Sequence, residues 1–183
     1  MGELLRVGGR GRLADGSVVT WSVAEGRRGR RWREVRAADG AVVSSLLLET
    51  DADGRFSHVE LSTAAGLLTL HPEGDGTIHG NTVGDDGVGH VAGLPWEPDG
   101  LLVVEGSPIA LAAAAAVARA HVAPGGSVGL TALAVGLDLR LGTETVTVER
   151  RAAGIWLVGD EPALRLDDRG LPILADGADW PLE

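Results

Sequence analysis

Apolar and polar residues alternate along most of this chain with a period of two, and one stretch breaks the alternation. A period of two places successive side chains on opposite faces of a strand. It predicts strands at Leu4–Arg12, Ser17–Glu25, Arg30–Ala37, Ala41–Glu49, Phe56–Ser62, Gly66–His71, Thr77–Val83 and Val88–Ala92. Asp-Gly pairs punctuate the chain at Asp15-Gly16, Asp39-Gly40, Asp53-Gly54, Asp75-Gly76, Asp86-Gly87, Asp99-Gly100 and Asp176-Gly177. Asp-Gly suits the positive φ angles of a type I′ turn, so most of these pairs are expected to be hairpin tips of an antiparallel meander. Further strands are expected at Leu101–Glu105, Ser127–Leu141, Thr143–Arg151, Ile155–Val158, Ala163–Leu166 and Leu171–Leu174.

The exception is the alanine-rich segment 107–122, which predicts a helix. Ser107 suits the N-cap, Pro108 the first helical position, and Pro124-Gly125 the stop. Its larger apolar groups, Ile109, Leu111, Val117 and Val122, fall around the cylinder, and Arg119 is its only formal charge. A helix of that kind is expected to be covered on most sides. The fold class that follows is mainly β: a long curved antiparallel sheet, a half-barrel or open barrel, wrapped around one alanine-rich helix, with residues 1–183 as a single domain.

Residues opposite one another in an antiparallel pair share a face, so turn lengths fix which side chains meet. Two-residue turns at Asp53-Gly54 and Ala64-Ala65 place Leu48 opposite Val59, Leu46 opposite Leu61, Leu61 opposite Leu68 and Val59 opposite Leu70. One apolar face then runs across three strands. The same counting through Asp75-Gly76 and Asp86-Gly87 adds His79, Asn81, Val88, His90 and Ala92 to that face. Through Asp39-Gly40 it adds Val35, Arg33 and Arg31. The first hairpin conflicts with this scheme, because Val19, Trp21, Val23 and Trp32 fall on the opposite side.

Composition narrows the chemistry. The chain of 183 residues is 44% apolar, enough for a real core, and has no cysteine, which removes disulfides, thiol nucleophiles and cysteine-held metals. A net charge of −10 argues against nucleic acid or an anionic membrane as the main partner. That charge is uneven: residues 1–40 carry a net of +4 and residues 41–183 a net of −14, and every basic residue is arginine. No apolar run is long enough for a transmembrane segment, and a soluble, cytoplasmic protein is expected.

Motifs that name a reaction are absent: there is no nucleophile elbow, phosphate loop or dinucleotide fingerprint. The stretch from Glu49 to Glu60 has acids and a glycine at the spacing of a calcium loop, yet its flanks alternate like strands, so a hairpin tip is expected. His79, His90 and Asn81 make a poor divalent-metal set, and neither a metal nor a cofactor is expected. The basic run Arg27–Arg36 reads as a solvated hairpin whose arginine stems cover apolar surface.

The order of elements resembles a bacterial glycolipid-binding family whose half-barrel is similar to the lipoprotein carriers. The resemblance runs from about Leu46 to the end. It rests on Leu48-Glu49-Thr50-Asp51-Ala52-Asp53, Gly76-Thr77-Ile78-His79-Gly80, Gly106-Ser107-Pro108 and Leu166-Asp167-Asp168-Arg169-Gly170-Leu171. It implies the fold and an apolar or glycolipid-like small-molecule partner. The family continues its Ser-Pro with an Asn-containing Leu-Pro-Ile-Arg segment where this chain enters polyalanine, and no family binding residue carries over.

The leading expectation is therefore a non-enzymatic binding protein for a lipid-like ligand on the concave face of the sheet. Apolar burial would supply affinity at roughly 25 cal/mol per Å². Arg31 and Arg33 are the candidates for an anionic or sugar head group, His79, Asn81 and His90 for hydrogen bonds, and Trp96 for an apolar wall at the mouth. Two alternatives stand beside it: a hydrolase of small esters or phosphates with His79 or His90 as base near Arg33, and a homodimer formed by pairing of an open sheet edge.

Overall fold

The computed structural model describes residues 5–175 and 178–179. The expected meander forms an eight-stranded antiparallel sheet in which every strand pairs with its neighbour in sequence. Its strands are β1 (Arg6–Arg12), β2 (Val18–Gly26), β3 (Gly29–Ala38), β4 (Ala41–Thr50), β5 (Phe56–Thr63), β6 (Gly66–Pro72), β7 (Thr77–Gly84) and β8 (Gly87–Pro95). The remaining strands form a second sheet. It contains β9 (Leu101–Val104), β10 (Ser127–Val135), β11 (Leu141–Arg150), β12 (Ile155–Val158), β13 (Leu164–Leu166), β14 (Pro172–Ala175) and β15 (Ala178–Asp179), in the order β15-β14-β13-β12-β11-β10-β9. The helix α1 (Pro108–Ala118) connects β9 to β10, which pair in parallel. That parallel pair is a departure from the all-antiparallel expectation. Its physical reason is the helix itself, since a crossover of this length returns the chain to the same end of the sheet. The architecture is a mainly-β half-barrel around one helix, and a single apolar core joins both sheets and α1.

Turn chemistry decides which side chains enter that core. At Asp75-Gly76 the connection has three residues instead of two. The Glu73 N–H donates to the Thr77 carbonyl at 2.7 Å, the Gly76 N–H donates to the Glu73 carbonyl at 3.2 Å, and Gly76 takes φ +80°. This is a type I turn closed by a glycine bulge. The extra residue inverts the following strand: Gly80 opposes Leu70 and His79 opposes His71. His79 and Asn81 therefore leave the core face. His90, which opposes Asn81, leaves with them. Asp53-Gly54 is also a three-residue turn, but a bulge between Glu49 and Thr50 offsets it. The expected pairs Leu48–Val59, Leu46–Leu61, Leu61–Leu68 and Val59–Leu70 all form.

On the N-terminal side Asp39-Gly40 does form a two-residue turn, with φ of 51° and 79°. A bulge between Arg36 and Ala37 then shifts β3 by one residue. Trp32 opposes Leu48 and Glu34 opposes Leu46, so Arg31, Arg33 and Val35 turn outward, contrary to the sequence reading. The same shift resolves the conflict at the first hairpin. Trp21 opposes Glu34, Val23 opposes Trp32, and Val19, Trp21, Val23 and Trp32 are all buried on the inner face. The hairpin tip expected at Asp176-Gly177 lies outside the described residues.

Helix α1 is shorter than the predicted 107–122. Ser107 caps it, its hydroxyl accepting the Ala110 N–H at 3.2 Å, and Pro108 occupies the first turn. After Ala118 the chain tightens into short turn bonds, with the Ala120 N–H donating to Val117 and the His121 N–H to Ala118. Pro124 forbids a longer helix. Every residue of α1 except Ala116 is buried, as its all-round apolar sequence requires.

Candidate functional site

The two ends of α1 meet the eight-stranded sheet in different ways. At the N-terminal end stands Glu34 of β3, 3% exposed. One carboxylate oxygen accepts the Ser107 hydroxyl at 3.0 Å and the Ile109 N–H at 3.2 Å. A negative group here suits the free N–H groups and positive dipole end of the helix. Burial nevertheless pushes its carboxyl up to about 7, against the lowering effect of these two hydrogen bonds and of Arg36. Buried and bonded to the first turn of the helix, Glu34 acts as a cap.

At the other end the space is open. A pocket of about 270 Å³ lies between the C-terminal half of α1, the β2–β3 and β4–β5 connections and the β13–β14 turn. Its walls include Arg30, Trp32, Thr50, Ala116, Arg119 and Gly170. Alanine on the helix and glycine at the turns supply the room. Arg30 donates through Nε to Glu25 at 2.7 Å and through Nη1 to the Arg169 carbonyl at 2.8 Å, and its guanidinium stands 5.5 Å from the centre of the Trp32 ring. Arg119, at the helix C-cap, is exposed and makes no ion pair with any described residue. The acids that line the pocket all have partners, Glu25 in Arg30. Asp51 accepts the backbone N–H groups of Asp53 and Arg55, and Asp53 pairs with Arg55.

A second, apolar crevice has Thr50, Gly54 and Ala113 as walls in common with the pocket. Leu48, Phe56, Leu102 and Val117 close it to about 10 Å³. The concave face is thus filled by α1, and the pocket stands at its rim. Another depression, of about 550 Å³, lies on the second sheet around Val103, Ala134, Val146 and Val158, and its charged lining is acidic.

The residues expected from sequence to form one site are dispersed. Asn81 and His90 do meet, sharing a 2.7 Å hydrogen bond between Oδ1 and Nδ1, and both are exposed on the outer face. Arg31 pairs with Glu49 on that outer face, and Arg33 lies exposed between Ser22 and Leu47. Arg33 on β3 is four strands from His79 on β7 and five from His90 on β8. At about 4.8 Å per strand, roughly 20 Å of sheet separates a histidine base from that arginine. Trp96 is 8% exposed and belongs to the core, its ring edge-on to Phe56 at 5.4 Å. No cluster of three or more metal-ligating side chains occurs among the described residues. Among them, too, no helix is long and apolar enough to cross a membrane.

Sequence reasoning missed the pocket, although two signals pointed to it. Arg119 was the one charge on an apolar helix, and Arg30 shares the parity of Trp32 and Glu34, the residues that enter the core.

A half-barrel closed around a helix, with a small pocket at one rim, defines the structural class. In that class the chain is similar to a DUF1089 family protein from Pseudomonas aeruginosa with a crystal structure. The two align with a TM-score of 0.55 and 19% identity over 97% of this chain and 91% of that one. At this identity the likeness concerns the fold alone. No protein-family model and no curated protein matches the sequence.

Proposed function

We propose that the protein is a non-catalytic binder of a lipid-like small molecule, which enters at the rim pocket and lays its apolar part between α1 and the eight-stranded sheet. The observation that supports this reading is that the 270 Å³ pocket and the apolar crevice have Thr50, Gly54 and Ala113 as common walls. Binding sites of this kind combine a mostly apolar wall with a few polar groups at one end. The crevice is closed at about 10 Å³, so a tail enters only as α1 lifts from the sheet. Ala113 and Ala114 make that movement cheaper than a leucine-packed contact, because each surrenders little buried area.

Native mass spectrometry of freshly purified protein, followed by organic extraction, tests the reading. The expected result is a discrete added mass that extraction removes and that is missing from Ala116→Trp, which fills the pocket from a half-buried position. The same adduct in both proteins overturns the site. A clean mass in the wild type, together with no thermal stabilisation by amphiphiles of eight to sixteen carbons, overturns the function.

A further inference from the structure

The rim pocket gathers arginines in a chain whose net charge is −10. Arg30, Arg119 and Arg169 line it together with the acids Glu25, Asp51 and Asp53, and Arg27-Arg28 sit at the adjoining β2–β3 tip. Arg30 is balanced by Glu25 and Arg169 by Asp167, whereas Arg27, Arg28 and Arg119 have no acidic partner among the described residues. Two guanidinium groups converge. A methyl-sized group on Gly170 would stand 3.6 Å from Arg30 Nη1 and 3.7 Å from Arg119 Nη2, so both reach the same point above that turn. Glu25 offsets Arg30 alone, so Arg119 leaves one positive charge in excess where the two guanidinium groups meet, and an anion placed between them would be attracted there. Trp32, a wall of the pocket, adds a buried indole N–H that no described residue accepts, a donor whose partner is still owed.

We propose that this mouth holds an oxyanion, the carboxylate or phosphate-ester head of the ligand, between Arg30 and Arg119; the inference rests on the rim pocket being the ligand's entrance. Guanidinium groups suit this task because their planar forks donate paired hydrogen bonds to carboxylate and phosphate oxygens. The glycines at the turn and hairpin leave the anion room to approach. Arg27 and Arg28 add positive potential at the approach.

The test is titration of the full chain with decanoate, with 1-decanol and with inorganic phosphate, followed through the Trp32 indole N–H resonance. The wild type is expected to bind decanoate at least tenfold more tightly than 1-decanol. Arg119→Gln should erase that preference, with the melting temperature unchanged. Equal affinity of the wild type for the two amphiphiles overturns the oxyanion site and leaves the apolar-ligand reading standing. A preference that survives both Arg119→Gln and Arg30→Gln overturns it as well. Phosphate binding that Arg119→Gln abolishes, with no response to either amphiphile, upholds the oxyanion site and removes the apolar ligand. No response to any of the three overturns both.

Discussion

The two ends of α1 answer the same electrostatic demand in opposite ways. At the N-terminal end the complementary charge, Glu34, is sealed inside and holds two donors of the first turn. At the C-terminal end the complementary charge, Arg119, stands in solvent beside an open pocket. Helix dipoles favour both placements. The difference lies in what each charge has left to offer: Glu34 spends its oxygen on the helix, while Arg119 keeps its donors for something else. A charge that is buried and satisfied reads as architecture, and one that is exposed and unpartnered at a concavity reads as function.

Substitution at the sealed end should have the largest effect. Glu34→Ala leaves the Ser107 hydroxyl and the Ile109 N–H without an acceptor in a dry interior and opens a small cavity, so a loss of about 2–4 kcal/mol is expected in urea unfolding. A loss under 1 kcal/mol would mean that Glu34 is not the cap. Next comes pH. The Glu34 carboxyl ionises near 7 in the folded chain and near 4.5 when unfolded, so between these values the folded state holds the extra proton. Stability is therefore greatest below about pH 4.5 as far as this group is concerned and falls as pH rises through 7, by up to about 3 kcal/mol. Glu34→Gln should flatten that slope in melting curves taken from pH 4.5 to 8. Asp15 works in the opposite sense and at lower pH. The Ser17 hydroxyl, the Ser17 N–H and Arg36 hold its carboxyl down at about 2, so its contribution fades only as pH falls from the usual carboxylate range toward that value.

Ser107→Ala removes one cap but leaves Glu34 on Ile109, and about 1 kcal/mol is expected. The smallest effect belongs to the open end. Arg119→Gln should change unfolding free energy by less than about 0.5 kcal/mol, as for a surface side chain without partners. A larger loss would erase the contrast between the two ends, because Arg119 would then be architectural too.

The fold was legible because alternation of apolar residues survives small errors of register. Val19, Trp21 and Val23 announce a strand wherever its neighbours pair. Facing was less legible. A type I′ turn and a type I turn with a glycine bulge both place Gly at positive φ after Asp, yet they differ by one residue, and one residue exchanges the two faces. At Asp53-Gly54 the longer turn and a bulge cancel, so Leu48 meets Val59 as counted. At Asp75-Gly76 nothing cancels, and His79 and Asn81 move outside. Between Arg36 and Ala37 a bulge alone sends Arg31 and Arg33 outward and brings Glu34 in. The pocket was hidden for a different reason. Arg30, Arg119 and Gly170 come from a strand, a helix end and a turn far apart in sequence, and no local pattern joins them.

The one parallel pair among the described residues, β9 with β10, also sets an order of events in time. The eight-stranded sheet is assembled from neighbours in sequence, so each pairing closes only a short loop. The β9–β10 pairing must enclose the whole of α1, a helix of 11 residues that is marginal on its own and needs a surface to rest on. Local contacts form faster than distant ones. The first sheet is therefore expected to exist before the helix docks and covers Trp32 on its inner face. On that order the rim around the pocket is the last part of the molecule to close.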